Sequence, residues 1–156
     1  MRKSLLIIII MLISNTILAQ NGGRVMNKSY KSQFGVSETM MRTEQILKTM
    51  DIPVFAKFDH GKNAEEAGLQ LLPNQVIVFG SPKVGTVLMQ ENPAISIELP
   101  LKISVWEDKD RNVWLSIPLI KQIAASYGME NHPVIGKMQE LLEKIAFQSV
   151  NAAEKR

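Results

Sequence analysis

Two alternating segments separated by a polar turn constrain the fold of this chain more than any other feature. Residues 99–107 and 112–117 each alternate apolar and polar side chains, and residues 108–111 between them are all polar. Such alternation is typical of strands that bury one face, and two of them around a short polar turn predict an antiparallel hairpin. With the turn centred near Asp110, Trp106 and Trp114 should lie side by side across the two strands.

The remaining secondary structure can be placed from periodicity and from turn residues. Apolar side chains at helical spacing predict helices, and β-branched or aromatic runs bounded by Pro, Gly or Asn predict strands. The predicted strands are 26–33, 52–59 and 69–79, and 61–67 is predicted as a short helix or turn. The predicted helices are 37–50, 82–90, 118–127 and a last one that starts at 131 or 133 and includes 145. This β-α-β-β-α-β-β-α order, with tight turns between successive strands, favours an α+β fold in which helices pack on an antiparallel sheet.

Composition limits the chain to one ordinary domain and excludes thiol chemistry. The chain has 156 residues, of which 46% are hydrophobic and 21% are charged, as is typical of a globular domain. It has no cysteine, which excludes disulfides, thiolate metal sites, iron–sulfur clusters and a cysteine nucleophile. We find no spacing typical of a metal site, so we expect neither a metal nor another cofactor.

The N-terminus predicts export. Arg2 and Lys3 precede an unbroken apolar run over residues 5–13, and Ala19 stands at a suitable cleavage position. The run is too short for a good membrane span, although a retained single-helix anchor is an alternative. We therefore divide the chain into a signal peptide at 1–19, a flexible leader at 20–27 and a single domain at 28–150. The mature protein is expected in the periplasm or outside the cell, and not in the membrane.

Net charge gives no argument for a polyanionic partner. The full chain has 18 basic and 15 acidic residues, and the signal contains two of the basic residues and no acidic one. The mature chain therefore has a net charge of +1. No basic patch is evident, so we expect no nucleic acid partner.

Asp59 and His60 are the first candidates for chemistry. They end a predicted strand, and a histidine beside a carboxylate can act as a base or a proton shuttle. Glu107 is a third acid–base candidate, at the hairpin turn. Structural roles are the alternative, and the spacing alone favours them: Asp59 can cap the short helix that follows, and Glu107 can be an ordinary turn carboxylate.

Residues 80–86 form a turn at the start of a helix. Their two glycines resemble a phosphate loop, but the lysine that should follow the second glycine is absent, which excludes a nucleoside triphosphatase of that type. Ser81 is a natural N-cap and Pro82 suits the first helical position, so free N–H groups at this end can bind an anion or simply be capped. In the hairpin, Lys102 and Trp106 share one face and can form a pocket wall, or the aromatic pair can be purely structural.

Five segments together resemble a known family. They are Phe55-Ala-Lys-Phe-Asp-His60, Ala67-Gly-Leu-Gln-Leu-Leu-Pro73, Phe79-Gly-Ser-Pro-Lys-Val-Gly-Thr86, Leu99-Pro-Leu-Lys102 and Val105-Trp-Glu-Asp108. In this order they resemble the bacterial and archaeal family called domain of unknown function 302. The resemblance covers about half of the chain. It implies a curved antiparallel sheet that holds a long helix, as in the TATA-binding protein, and it favours a functional role for the Asp-His pair.

Three functions from different classes follow. The first is a non-catalytic protein that binds a small anion or carbonyl compound. The second is an enzyme that uses Asp59, His60 and Glu107, and the third is a dimerisation module without a ligand, for example a homodimer. We favour the first because the matched segments combine glycine, proline and aromatic residues, which are typical of pockets. The residues expected to converge on the ligand are His60, Gly80, Ser81, Pro82, Gly85, Thr86, Lys102 and Trp106.

Overall fold

The structure is a computed structural model that describes residues 26–152. The strands are β1 (Asn27–Lys31), β2 (Val54–Asp59), β3 (Asn74–Phe79), β4 (Leu101–Glu107) and β5 (Val113–Pro118). The helices are α1 (Val36–Thr49), α2 (His60–Glu66), α3 (Pro82–Glu91), α4 (Ile120–Ala125) and α5 (Pro133–Val150), with a 3-10 helix over Pro93–Glu98. None of the helices within the described part of the chain is long and apolar enough to cross a membrane.

The five strands form one sheet in the order β1-β5-β4-β3-β2. Every pair is antiparallel, and Trp106 lies opposite Trp114 in the β4–β5 hairpin. The predicted α+β class with an antiparallel sheet is therefore confirmed, and so is the hairpin. Because adjacent strand residues point to opposite faces, the sheet has two faces of different character.

Helices α1 and α5 pack on one face of the sheet and form the core with it. The fully buried side chains of this face come from β3, β4 and β5: Ile77, Phe79, Ile103, Val105, Leu115 and Ile117. The opposite face carries residues such as Lys102, Ser104 and Trp106, which are exposed or half-buried. We call it the open face. Each Å² of buried apolar area stabilises the fold by about 25 cal/mol. Because the helix-covered face contains these fully buried side chains, most of the stabilisation arises there.

The segment before β3 differs from the prediction. A single strand was expected over 69–79, but β3 begins only at Asn74, and Leu69 and Leu71 are exposed. Gly68 adopts a positive φ of 74° after α2, and the N–H of Leu69 returns to the carbonyl oxygen of Ala64. This helix ending turns the chain back towards α2, so pairing with the neighbouring strands begins only at Asn74.

The predicted export signal lies outside the described residues. Only the last two residues of the predicted leader are described, and Asn27 is already the first residue of β1.

Candidate functional site

An apolar cavity of about 410 Å³ lies between the sheet, α3 and α5. We call it the α3 cavity, because α3 forms one wall. Phe79 and Leu101 of the sheet form its floor, and Met138 and Leu141 of α5 form another wall. None of the described residues that line it has a charged side chain.

Five of the predicted ligand-binding residues line the α3 cavity. They come from the turn after β3 and from the start of α3: Gly80, Ser81, Pro82, Gly85 and Thr86. Pro82 occupies the first helical position and Ser81 is extended, so the chain turns sharply from strand to helix here. Gly85 presents its backbone to the cavity, where an added Cβ would lie 3.7 Å from Leu99 Cδ1 and 3.8 Å from Met89 Cε.

The polar side chains among the described lining residues of the α3 cavity belong to residues near the start of α3. Ser81 is the N-cap residue of α3, yet in the described structure its side chain makes no capping hydrogen bond. The first N–H groups of a helix have no intrahelical partner, and this end carries partial positive charge. Ser81 and Thr86 are the described lining residues with a side-chain hydroxyl, and both lie near the start of α3. We call this part of the lining the polar end.

Sequence reasoning missed the remaining walls of the α3 cavity. Ile52, Phe55, Met89, Leu99 and Pro100 also line it. Leu99 and Phe55 lie within the segments that carry the family resemblance, so the resemblance could have identified them as candidate site residues. Their apolar side chains were interpreted as core, because burial alone does not distinguish a cavity wall from a packed interior.

Lys102 and Trp106 lie on the open face and not at the cavity. The expected convergence of Lys102 with the turn at 80–86 is therefore not found. Lys102 directly follows Leu101, which does line the cavity. Strand alternation sends the Lys102 side chain to the other face of β4, where Val78 is its neighbour on β3.

Both tryptophans of the open face are held by internal hydrogen bonds. Their ring centroids are 6.3 Å apart with an interplanar angle of 27°. The indole Nε1 of Trp106 donates to Ser116 Oγ at 2.9 Å, and that of Trp114 donates to Asp108 Oδ2 at 2.8 Å. The bond from Trp114, with further donors from the Asn112 backbone and side chain, lowers the pKa of Asp108 to about 2. These contacts identify a structural role for the pair.

Asp59 caps α2, as the structural alternative predicted. Its Oδ1 accepts from the backbone N–H of Lys62 at 2.9 Å, and its Oδ2 accepts from Gln75 Nε2 at 2.9 Å. The first of these bonds is the main reason that the pKa of Asp59 lies below its ordinary value. His60 begins α2, is exposed, and stacks on Phe58 with centroids 6.3 Å apart. It does not line the α3 cavity.

Glu107 is paired with Arg111 within the hairpin turn, at 2.6 Å between Oε1 and Nη1. Asp59 and Glu107 stand on β2 and β4, with β3 between them, so their backbones are about 10 Å apart or more. Among residues 26–152, no hydrogen bond joins any two of Asp59, His60 and Glu107. The arrangement gives no acid–base pair.

A second, larger concavity lies between α1 and the end of α5. It is more polar than the α3 cavity, and Arg42 lines it. The guanidinium of Arg42 already donates to the carbonyl oxygens of Gln148, Ser149 and Asn151 at the end of α5. This concavity therefore lies along the contact between α1 and α5. Over the described range, no group of three or more His, Asp or Glu side chains could hold a metal ion.

Similarity to a solved structure supports the fold. The crystal structure of an uncharacterized conserved protein DUF302 from Bacillus stearothermophilus matches with a TM-score of 0.69 and 20% sequence identity. The match covers 80% of this chain and 98% of that one.

Similarity to curated proteins extends over a shorter segment. Proteins named fluoride-specific ion channel FluC 1 from Brucella suis biovar 1 and Brucella abortus biovar 1 are 44% identical over 87 residues. These residues are 56% of this chain, and they span only about a third of each relative, 34% and 32%. A model of one family also matches residues 28–145. The chain therefore belongs to the family described as domain of unknown function DUF302.

Proposed function

We propose that this protein binds, without chemical change, a small aliphatic molecule that carries one carboxylate or carbonyl group. The α3 cavity is the observation that carries this proposal. Its volume of about 410 Å³ lies in the usual range for small-ligand sites, about 300–1,000 Å³. Its mainly apolar lining suits an alkyl body, and the Ser81 end suits a single polar group.

The lining also argues against a bare inorganic anion. An ion that leaves water loses its hydration, and this loss is large unless a charged or strongly hydrogen-bonding partner replaces the water. The described lining offers two hydroxyls and the start of α3, but no charged side chain. An alkyl body supplies the binding free energy that the polar end alone does not, at about 0.8 kcal/mol per buried methylene.

The test is a thermal-shift and calorimetric titration with a graded panel. Octanoate and octanal should raise the melting temperature, because a ligand that binds only the folded state stabilises it. Acetate has the same head group without the body, and octane has the body without the head group, so both should bind more weakly. Absence of binding by every alkyl compound would refute the proposal.

Sodium fluoride belongs in the same panel, because the Brucella relatives are named as fluoride-specific ion channels. We expect no shift from fluoride at concentrations where octanoate gives one. A fluoride-specific shift that chloride does not reproduce would instead favour an anion site.

Variants at glycine positions test whether the ligand occupies the α3 cavity. Gly85→Leu places a side chain into the space between Leu99 and Met89 and should abolish binding. Gly136→Leu is the matched control: Gly136 is also helical, and nothing lies within 4 Å of its added Cβ. The control should leave the octanoate affinity unchanged.

A specific observation favours self-association as a second candidate. Edge strand β2 exposes Phe58, and the segment after α2 exposes Leu69 and Leu71. An exposed apolar edge strand is prone to pair with another chain. Sedimentation of the wild type and of Phe58→Lys tests this: a dimer that the lysine disrupts would support it, and a wild-type monomer at high concentration would exclude it.

Export remains a prediction from the N-terminal sequence. It is motivated by Arg2 and Lys3 before the apolar run. N-terminal sequencing of the protein from its natural cell envelope fraction should begin near Gln20. A chain that retains Met1 would contradict cleavage.

A further inference from the structure

Phe55 is the only aromatic side chain of β2 that lines the α3 cavity, within the residues described, and it lies at the rim. Its relative exposure is 52%, whereas that of Phe79 on the cavity floor is 0%. One side of the Phe55 ring therefore contacts the cavity while the other contacts solvent. Its Cε2 lies 3.6 Å from the position that a Cβ on Gly80 would occupy.

A β-bulge leaves Phe55 without a partner in the sheet. Val54 pairs with Phe79 and Ala56 pairs with Val78, so Phe55 is the extra residue between two consecutive partners. On the other side of β2 there is no strand in the described sheet, because β2 is an edge. The extra residue of a bulge is unpaired, and bulges often occur beside functional sites, where they direct a side chain.

The chain on either side of Phe55 is well anchored. The N–H of Gly80 donates to the carbonyl oxygen of Pro53 at 3.1 Å, and the ladder continues from Ala56. Movement of the ring can therefore occur without loss of the β2–β3 pairing. The Phe55 ring is thus half-exposed and belongs to a residue that has no partner in the sheet.

We infer that Phe55 closes the mouth of the α3 cavity and determines the size of the ligand that enters it. The ring excludes ligands wider than a linear alkyl chain and shields a bound chain from water. The ligand-selection part of this inference rests on the proposed function. Control of access is a property of the protein alone and is measurable without a ligand.

Because the sequence has no cysteine, a single introduced thiol can report access to the cavity without background reaction from other thiols. Gly85→Cys introduces a single thiol at the cavity wall, and its rate of reaction with Ellman's reagent reports access to the cavity. Adding Phe55→Ala should increase that rate several-fold. Adding Phe58→Ala, on the same strand but stacked on His60 away from the cavity, should not. Circular dichroism and melting temperature confirm that each variant is folded, and Phe55→Leu substitutes for Phe55→Ala if the latter is not.

The ligand test compares octanoate with the wider adamantane carboxylate. Phe55→Ala should shift the ratio of their affinities by about tenfold in favour of the wider compound. Equal labelling rates with and without Phe55, or equal increases from Phe55→Ala and Phe58→Ala, would overturn the inference. Faster labelling in Phe55→Ala together with no binding of either acid would uphold Phe55 as the closing residue and refute the proposed function. An unchanged affinity ratio with both acids bound would overturn size selection.

Discussion

Trp106 and Trp114 are direct partners across β4 and β5, yet their indole N–H groups bind acceptors of different charge. Trp106 donates to the neutral hydroxyl of Ser116, and Trp114 donates to the carboxylate of Asp108. Ser116 in turn lies 2.8 Å from Ser29 Oγ on β1, so the first bond continues across the sheet. The second bond connects the strand to the turn of its own hairpin. The pair thus stabilises the hairpin in two physically distinct ways.

Trp106→Phe and Trp114→Phe separate these two contributions. Each phenylalanine retains an aromatic ring but removes the N–H donor. Trp106→Phe should cost about 0.5–1.5 kcal/mol, the usual contribution of a neutral hydrogen bond. Trp114→Phe should cost more, because bonds to charged groups are stronger and Asp108 loses a donor. Urea unfolding measures both, and a smaller effect for Trp114→Phe would contradict the assignment.

Asp108 should make stability depend on pH in the acid range. Its folded-state pKa of about 2 lies below the ordinary value of 3.8, so the folded state favours the ionised carboxylate. This contribution is complete above about pH 4 and is lost as the pH falls through about 2. Asp108→Asn removes this contribution, so the melting temperature of the variant should fall less steeply between about pH 4 and about pH 2. Asp110→Asn, in the same turn, is the control and should leave the fall in place.

Gly85→Ala and Gly136→Ala should both stabilise the fold. Each replaces a helical glycine with the best helix former, for about 0.5–1 kcal/mol. An added Cβ meets only ordinary contacts at Gly85 and none within 4 Å at Gly136. Equal gains in unfolding free energy would show that the cavity tolerates a methyl group. Loss of stability at Gly85 alone would contradict the prediction and show that the cavity does not accept a methyl group there.

The buried pair Thr43 and Ser149 joins α1 to α5. Both side chains are fully buried, and their hydroxyl oxygens are 2.9 Å apart. Thr43→Val should cost about 1–3 kcal/mol, because Ser149 then retains a buried polar group without its partner. The double variant with Ser149→Ala should recover part of that loss. A double-mutant cycle measures the coupling, and strict additivity would contradict it.

The sequence alone predicted the elements whose signals are local. The hairpin around residues 108–111 and the α+β order follow from alternation and helical spacing, which depend on neighbouring residues only. The turn at 80–86 was also recognisable, because Pro82 and Ser81 have strong positional preferences at helix starts. These preferences hold before any tertiary contact forms.

Local signals failed where a neighbouring turn or a competing hydrogen bond changed their outcome. Leu69, Leu71 and Leu72 suggest a strand, but the turn at Gly68, just after α2, directs this segment back towards α2. Asp59 and His60 suggest an acid–base pair, but the backbone N–H of Lys62 and the amide of Gln75 occupy the carboxylate. The charge and type of a residue do not show which hydrogen-bond partner its side chain will have in the folded protein.

Only the tertiary structure decided which candidate residues meet. Gly80 to Thr86 form the α3 cavity only because α5, more than fifty positions later, contributes Met138 and Leu141 to its wall. Lys102 is absent from that cavity because successive residues of β4 point to opposite faces, so one residue separates the cavity side from the open face. A cavity is space enclosed by elements distant in sequence, and its position therefore depends on how the helices pack on the sheet.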